Sequence, residues 1–159
     1  MKTIKFRNWE LIVNDELTKS TYEKVEIGNA DSCVCNECKN YSNYRENVFP
    51  EEIKNLFIEI GIDYRKESEV TRYCKQNNGL HLYGGWYHFK GEFIGKNCEV
   101  PMGENSFTFE LTKIAENFSI GFCNSNALSF FEDGKNLVQI EFETEIPWTI
   151  DKELETDLM

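Results

Sequence analysis

Three cysteines within six residues form the segment of this sequence with the clearest potential for chemistry. Cys33, Cys35 and Cys38 follow a C-x-C-x-x-C spacing. Thiolates this close in the chain can surround one soft cation such as Zn²⁺, which takes four tetrahedral nitrogen or sulfur ligands. The spacing therefore predicts a structural zinc site. Its fourth ligand must come from elsewhere, and by residue type the choices are Cys74, His81, His88, Cys98 and Cys123.

Two other interpretations of the cysteine segment stay open at this point. Cys35 and Cys38 form C-x-x-C, and a helix beginning near Asn36 would lower a thiol pKa and favour redox chemistry. However, the strand and βαβ context of a thioredoxin-like site is missing, and the nearby charge of Glu37 disfavours a thiolate. The other interpretation needs no chemistry, because free cysteines are often small buried apolar side chains.

A second segment, His81 to Phe93, is rich in aromatic residues. One interpretation is a ligand or partner surface formed by Tyr83, Trp86 and His88. Strict alternation places Trp86 and His88 on one face of a strand and Tyr83 on the other, with the two histidines on opposite faces. A β-bulge at Gly84-Gly85 would instead bring the two histidines together. The competing interpretation is a core strand, because aromatic residues in strands usually pack inside.

The sequence contains no recognised catalytic motif. It lacks a nucleophile–base pair, a phosphate-binding loop and a dinucleotide fingerprint. The leading hypothesis is therefore a non-catalytic binding or interaction domain. A small metal-binding protein and an enzyme with its site near His88 are the alternatives.

The segments around the cysteines determine where the thiols lie. The apolar pattern from Ile4 to Val13 predicts one opening strand. The stretch from Leu17 to Val25 is ambiguous and could hold a short helix capped by Ser20 or Thr21. The clearest helix follows Pro50, whose missing N–H suits a first turn. Its apolar face and its terminal glycine are Ile53, Leu56, Phe57, Ile60 and Gly61.

From about residue 70 the apolar period changes from 3.6 to 2, which predicts antiparallel strands. We expect Phe107 to Leu111 and Val138 to Phe142 to be half-buried strands with one solvated face. Asp133-Gly134 predicts a tight hairpin between strands at 128–131 and 137–142. The predicted fold is α+β, an antiparallel strand-rich sheet with a few helices from the N-terminal part packed on it.

The length and composition predict one domain. A chain of 159 residues with 40% hydrophobic and 14% aromatic residues can form one packed core. We expect a single domain over residues 1–150 and an acidic, frayed tail over residues 151–159. The sequence contains neither an apolar run of about 18 residues nor a secretory signal. A cytoplasmic location, where thiols stay reduced, is the simplest expectation.

The negative charge is concentrated in the last third of the chain. The net charge is −11, and residues 101–159 carry 3 basic against 12 acidic residues, or −9 of that total. Such a field repels nucleic acid and anionic lipid, so neither is expected as a partner. It attracts a basic protein surface. One specific form of the leading hypothesis is thus an acidic inhibitor or immunity-type protein that caps a basic partner.

Three motifs together resemble a group of small uncharacterised bacterial proteins. They are C-x-C-x-x-C-x-N-Y over 33–41, then G-I-D at 61–63 with E-S-E-V at 67–70, then G-G-W-Y-H-F-x-G over 84–91. The resemblance covers residues 9–148 and implies a bacterial cytosolic protein. It implies no activity. Cys74 lies outside the shared pattern, which weakens it as a fourth metal ligand.

Overall fold

A computed structural model describes residues 1–155 of the chain. The helices in this range are α1 Asp15–Glu23, α2 Asn29–Ser32, α3 Asn36–Tyr44 and α4 Glu51–Ile60, with 3₁₀ turns at Arg45–Asn47 and Lys152–Leu154. The strands are β1 Lys2–Phe6, β2 Trp9–Val13, β3 Glu69–Lys75, β4 His81–Ile94, β5 Glu99–Pro101, β6 Phe107–Phe109, β7 Thr112–Ala115, β8 Phe118–Cys123 and β9 Leu137–Ile146.

The main sheet is antiparallel and confirms the predicted α+β fold. Its strand order is β1-β2-β4-β9-β8-β7, and β3 pairs with the first half of β4. The long strands β4 and β9 form its centre, in an unbroken register from His81↔Ile146 to Lys90↔Leu137. Strands β5 and β6 form a separate two-stranded arm.

The core lies between the helices and one face of the sheet. Phe57 of α4 packs against Tyr87 of β4, with ring centroids 4.9 Å apart. Phe49, which precedes α4, packs against Phe142 of β9 at 5.4 Å. Each such buried ring contributes about 1.5–3 kcal/mol through the hydrophobic effect. We call the opposite side of the sheet, which carries Trp86, the outer face.

Helix α4 has the predicted bounds and the predicted buried face. It begins after Pro50 and ends at Gly61, which adopts φ 100°. Helix α1 starts earlier than the sequence suggests, because the side chain of Asn14 caps it by accepting a hydrogen bond from the N–H of Leu17. Ser20 and Thr21 therefore lie inside the helix and do not cap it.

The single opening strand predicted from Ile4 to Val13 is wrong. The segment forms a hairpin of β1 and β2, with Phe6 paired to Trp9 across a two-residue turn. Arg7 occupies that turn with φ 54°. The apolar pattern concealed the turn because both flanking residues are apolar, and their rings stack with centroids 5.8 Å apart.

The hairpin predicted at Asp133-Gly134 is also wrong. Residues 128–131 form no strand, and β9 pairs with β4 and β8 instead. The segment lies against β4, because the Trp86 indole N–H donates to the carbonyl of Ala127 and the Lys90 ammonium donates to that of Asp133. These two long-range hydrogen bonds hold the segment against the sheet in place of the predicted hairpin.

Two of the predicted half-buried strands differ in their burial. The strand predicted from Phe107 to Leu111 is shorter, because β6 ends at Phe109, and every residue of β6 is exposed. It pairs with β5 in the separate two-stranded arm. From Leu137 to Phe142 both faces of β9 are buried, and Gln139 and Glu141 are 2% and 5% exposed. The solvated face expected over residues 138–142 is therefore covered, whereas Glu143 and Glu145 further along the strand are only partly buried.

The C-terminal segment contacts the body up to the last described residue. The Trp148 indole N–H donates to the carbonyl of Asp151, and the Glu155 carboxylate lies 2.9 Å from Nε2 of His81. The tail expected to fray spans residues 151–159, and its residues 156–159 lie outside the described residues. None of the helices over residues 1–155 is long and apolar enough to cross a membrane.

Candidate metal centre

The loop that carries the cysteines is held in place by buried hydrogen bonds. The carboxylate of Glu67 is fully buried and accepts a hydrogen bond from the N–H of Ala30 in α2 at 2.8 Å. Asn29 donates its N–H to the Glu67 carbonyl, and its side chain accepts from the N–H of Val70 in β3. Helix α2 is therefore fixed against β3, immediately before Cys33.

Helix α3 begins at Asn36, where the sequence predicted a helix start. Cys35 is its N-cap residue, and the Cys35 sulfur accepts a hydrogen bond from the N–H of Cys38 at 3.4 Å. The N–H of Cys35 in turn donates to the Cys33 sulfur at 3.5 Å. One backbone donor therefore reaches the sulfur of Cys33 and one that of Cys35, beside the positive end of the helix dipole, and these contacts favour negative charge on the two sulfurs.

The three sulfurs converge on one point. The sulfurs of Cys33 and Cys35 are 3.1 Å apart, and all three Sγ atoms lie within 4.8 Å of one another. A tetrahedral zinc ion with Zn–S bonds of about 2.3 Å holds its sulfurs roughly 3.8 Å apart. The cluster therefore has the size and the ligand type for one soft metal ion.

The thiols differ in acidity because their surroundings differ. The pKa of Cys33 is lowered, chiefly by the backbone N–H of Cys35. Burial raises the pKa of Cys35 and, more strongly, that of Cys38. Cys33 is thus the thiol most readily ionised. A metal ion would displace the protons of the other two, since it binds thiolates and not thiols.

None of the five residues considered as a fourth ligand joins the cluster. Among residues 1–155, no further Cys, His, Asp or Glu atom completes the group of three. Cys74 lies on β3 opposite Leu82. Cys98 and Cys123 are both buried, and each thiol shifts the pKa of the other. The remaining two, His81 and His88, lie within β4.

A cavity of about 320 Å³ opens beside the sulfurs. Besides the cysteines it is lined by Asn29, Glu37, Glu69, Val70, Thr71, Arg72 and Tyr83. The Tyr83 hydroxyl donates to the carbonyl of Glu37 at 2.7 Å, which fixes the first turn of α3 against β4. Tyr83 was expected on a ligand surface, but nothing in the spacing of the sequence connects it with the cysteines, because β4 lies more than 40 residues further along the chain.

The proposed surface residues of β4 are not brought together. The register with β9 is unbroken at Gly84-Gly85, so no bulge is present there and the two histidines stay on opposite faces. Tyr83 is 1% exposed and faces the helices, whereas Trp86 and His88 lie on the outer face. The three residues therefore do not share one surface.

His88 belongs to a buried polar chain on the outer face. Its Nε2 lies 2.9 Å from Oε1 of Gln139, whose amide N–H donates to the carboxylate of Glu141. Burial lowers the pKa of His88 to about 4 and raises the pKa of Glu141 to about 7. His88 is fully buried, so its imidazole has no direct access to a substrate. The enzyme hypothesis for this residue gains no support from its position.

Comparison of the chain with protein-family models, with curated proteins and with solved structures gives no match. The resemblance to small bacterial proteins that was drawn from the motifs therefore stays a prediction. What the structure itself provides is a cluster of three thiols that could hold a metal ion.

Proposed function

We propose that this protein binds a soft divalent cation, Zn²⁺, through the thiolates of Cys33, Cys35 and Cys38. The observation that carries the proposal is the convergence of three sulfurs within 4.8 Å of one another. Thiolate ligands select zinc and other soft ions over Mg²⁺ or Ca²⁺, which prefer oxygen. The role we assign to the site is non-catalytic.

The surroundings of the cluster support a metal more than an inert group of buried thiols. Cys35 is exposed and Cys33 is half-buried, whereas cysteines that act as small apolar side chains are enclosed. Backbone N–H groups point at two of the sulfurs, at 3.4 and 3.5 Å. Such donors stabilise a thiolate and offer little to a neutral thiol. The proposal includes that the protein resides in a reducing compartment, such as the cytoplasm, because oxidation of the thiols to a disulfide would remove the metal ligands.

Metal content tests this proposal. The full chain, purified without an affinity tag, should contain about one equivalent of zinc by elemental analysis. Cys38→Ser should lose the metal, and Cys74→Ser, which removes a thiol outside the cluster, should keep it. The proposal would be contradicted if the unmodified protein, after incubation with Zn²⁺ and dialysis, held less than about a tenth of an equivalent of zinc.

A second candidate function is the binding of a basic partner, and a groove on the outer face favours it. The groove has a volume of about 320 Å³ and crosses β4, β9 and β8. Its charged residues are Glu116, Glu143, Glu145 and Lys113. Over the described part of the chain, none of these carboxylates forms an ion pair, whereas five carboxylates within residues 10–52 do. Tyr73, half exposed beside them, adds an aromatic ring that a cation can contact.

A salt-dependent binding experiment tests the second candidate. A lysine- and arginine-rich peptide should bind the full chain at low salt and dissociate as salt is added. Glu143→Gln with Glu145→Gln should weaken this binding several-fold. The same charge change at Glu16 and Glu23, which are exposed on α1, should have a smaller effect. Equal weakening by both pairs would mean that only the net charge matters and that the groove is not the site.

A further inference from the structure

Cys98 and Cys123 are two thiols that the metal cluster does not use, and the fold places them next to each other. Asn97 forms a parallel bridge to Phe122, and the N–H of Cys98 donates to the carbonyl of Phe122 at 2.9 Å. Each cysteine directly follows a residue of this bridge. Neighbouring backbone segments in such a pair lie about 4.8 Å apart, and successive side chains point to opposite faces. The two cysteines therefore point to the same side, at a spacing within the range of about 4.4–6.8 Å between Cα atoms that a disulfide spans.

Gly121 lets the side chain of Cys98 approach β8 on the face that carries Cys123. A Cβ atom added at Gly121 would lie only 2.5 Å from Cβ of Cys98 and 3.0 Å from its sulfur, so a larger residue would displace this side chain. Because side chains alternate along a strand, Gly121 and Cys123 share one face of β8. The pKa of Cys123 is lowered and the pKa of Cys98 is raised, in each case chiefly by the other thiol. Cys123 is therefore the thiol of the pair that ionises first.

The pair is buried, but it lies beside two exposed positions of the chain. Cys98 and Cys123 are 1% and 0% exposed, whereas Asn97, which precedes the first, and Asn124, which follows the second, are exposed. Strand β8 ends at Cys123, and β5 begins directly after Cys98. The ends of strands open at a lower cost than their centres. A short opening there admits a neutral molecule close to water in size and keeps out a large oxidant such as oxidised glutathione.

We propose that Cys98 and Cys123 form a second thiol site, which hydrogen peroxide oxidises to an intramolecular disulfide. The proposal is independent of the metal function. In the first step the thiolate of Cys123 attacks one peroxide oxygen; an S–O bond forms, the O–O bond breaks, and the leaving hydroxide takes up the proton that Cys123 released. In the second step the sulfur of Cys98 attacks the resulting sulfenic acid; the S–S bond forms, the S–O bond breaks, and water leaves with the proton of Cys98. Two thiols and one peroxide thus give one disulfide and two water molecules, and two electrons pass from the sulfurs to the peroxide oxygens.

Peptide mapping of the full chain tests the proposal. The folded protein is exposed to hydrogen peroxide, its remaining thiols are blocked with iodoacetamide under denaturing conditions, and the unreduced digest is analysed by mass spectrometry. We expect a pair of peptides cross-linked through Cys98 and Cys123 that separates on reduction with dithiothreitol. Cys74→Ser, which removes a thiol outside the pair, should form the same cross-link. Oxidised glutathione should form it at least about tenfold more slowly than peroxide, because the thiols are enclosed.

Single variants test the order of the two steps. In Cys98→Ala the second thiol is missing, so the sulfenic acid of Cys123 should persist and be trapped by dimedone, a reagent for sulfenic acids. In Cys123→Ala, dimedone should label Cys98 at least about tenfold less. Equal labelling in the two variants would overturn the proposal.

The unmodified chain decides the main outcome, so a variant that fails to fold does not prevent the test. Peroxide that leaves Cys98 and Cys123 of the folded protein unpaired would overturn the proposal. The same holds if either thiol pairs mainly with a cysteine of the metal cluster, or if oxidised glutathione forms the cross-link as fast as peroxide does.

Discussion

The sulfur atoms of Cys33 and Cys35 lie 3.1 Å apart at the start of α3, and neither side chain is enclosed. The third sulfur, that of Cys38, is buried behind them. The site therefore has an accessible side and an enclosed side, and the three thiols should not behave alike.

The thiols should react with an alkylating agent in a defined order. In metal-free protein, Cys33 should react at least about tenfold faster than Cys38 with iodoacetamide near neutral pH, because its pKa is lowered and it is more accessible. Mass spectrometry of peptides after short exposures measures the order. Added Zn²⁺ should protect both residues and leave the rate at Cys74 unchanged. Equal rates at Cys33 and Cys38 would contradict the described environments.

Zinc should stabilise the folded protein against heat. A metal that binds only the folded state adds about 2.7 kcal/mol when its free concentration is 100 times the Kd. The melting temperature should therefore rise with Zn²⁺ and fall when a chelator is added. Cys35→Ser should abolish this response at little cost to the metal-free protein, since Cys35 is exposed. Cys74→Ser serves as the control and should keep the response; an unchanged response in Cys35→Ser would argue against the cluster.

Removing one partner of the ion pair between Arg45 and Glu67 should strongly lower the free energy of unfolding. The Arg45 guanidinium donates to the Glu67 carboxylate at 3.2 Å, and the two residues are 6% and 0% exposed. Arg45→Met leaves a carboxylate buried without its partner and should lower the free energy of unfolding by about 3–5 kcal/mol. Urea denaturation measures the change.

An exposed ion pair provides the matched control for that variant. Arg65 bonds the carboxylate of Glu46 at 3.0 Å, and both side chains are more than half exposed. Arg65→Met should cost only about 0–1 kcal/mol, because solvent screens the pair. Similar losses for Arg45→Met and Arg65→Met would contradict the burial of Arg45.

His88 and Glu141 should contribute opposite pH dependences to stability. For His88 the folded pKa of about 4 lies below its ordinary 6.5, so stability is lost as pH falls through that interval. For Glu141 the folded pKa of about 7 lies above its ordinary 4.5, so stability is lost as pH rises through that interval. Each contribution is on the order of 3 kcal/mol, and the two oppose each other between about pH 4.5 and 6.5.

Single variants should separate these two contributions. In Glu141→Gln the free energy of unfolding should rise with pH from about 4 to 6.5, because the His88 contribution remains. In His88→Gln it should fall from about pH 4.5 to 7. The slope against pH is the readout, so a general loss of stability does not affect it. Glu59→Gln, on the exposed side of α4, should keep the slope of the unmodified protein. Parallel slopes in the two variants would contradict the assigned shifts.

Local patterns in the sequence were sufficient for the elements that form from neighbouring residues. Helix α4 has the predicted apolar face and ends at Gly61, because helix periodicity and a left-handed glycine act within a few residues. The α+β class follows in the same way from the change of period near residue 70. The cysteine spacing likewise identified the three sulfurs that the fold brings together, since all three lie within one loop and the first turn of α3.

Tertiary structure decided what depends on residues far apart in the chain. The turn at Arg7 and the pairing of β9 with β4 and β8 depend on which strands meet, and alternation of polarity does not encode a partner. The same holds for Tyr83, which reaches the cysteine loop only because α3 packs beside β3 and β4. Sequence by itself determined the ligands that a metal could use. Only the folded chain determined that both histidines are enclosed and that the fourth side of the cluster opens into a cavity, because enclosure is a property of packing between distant segments.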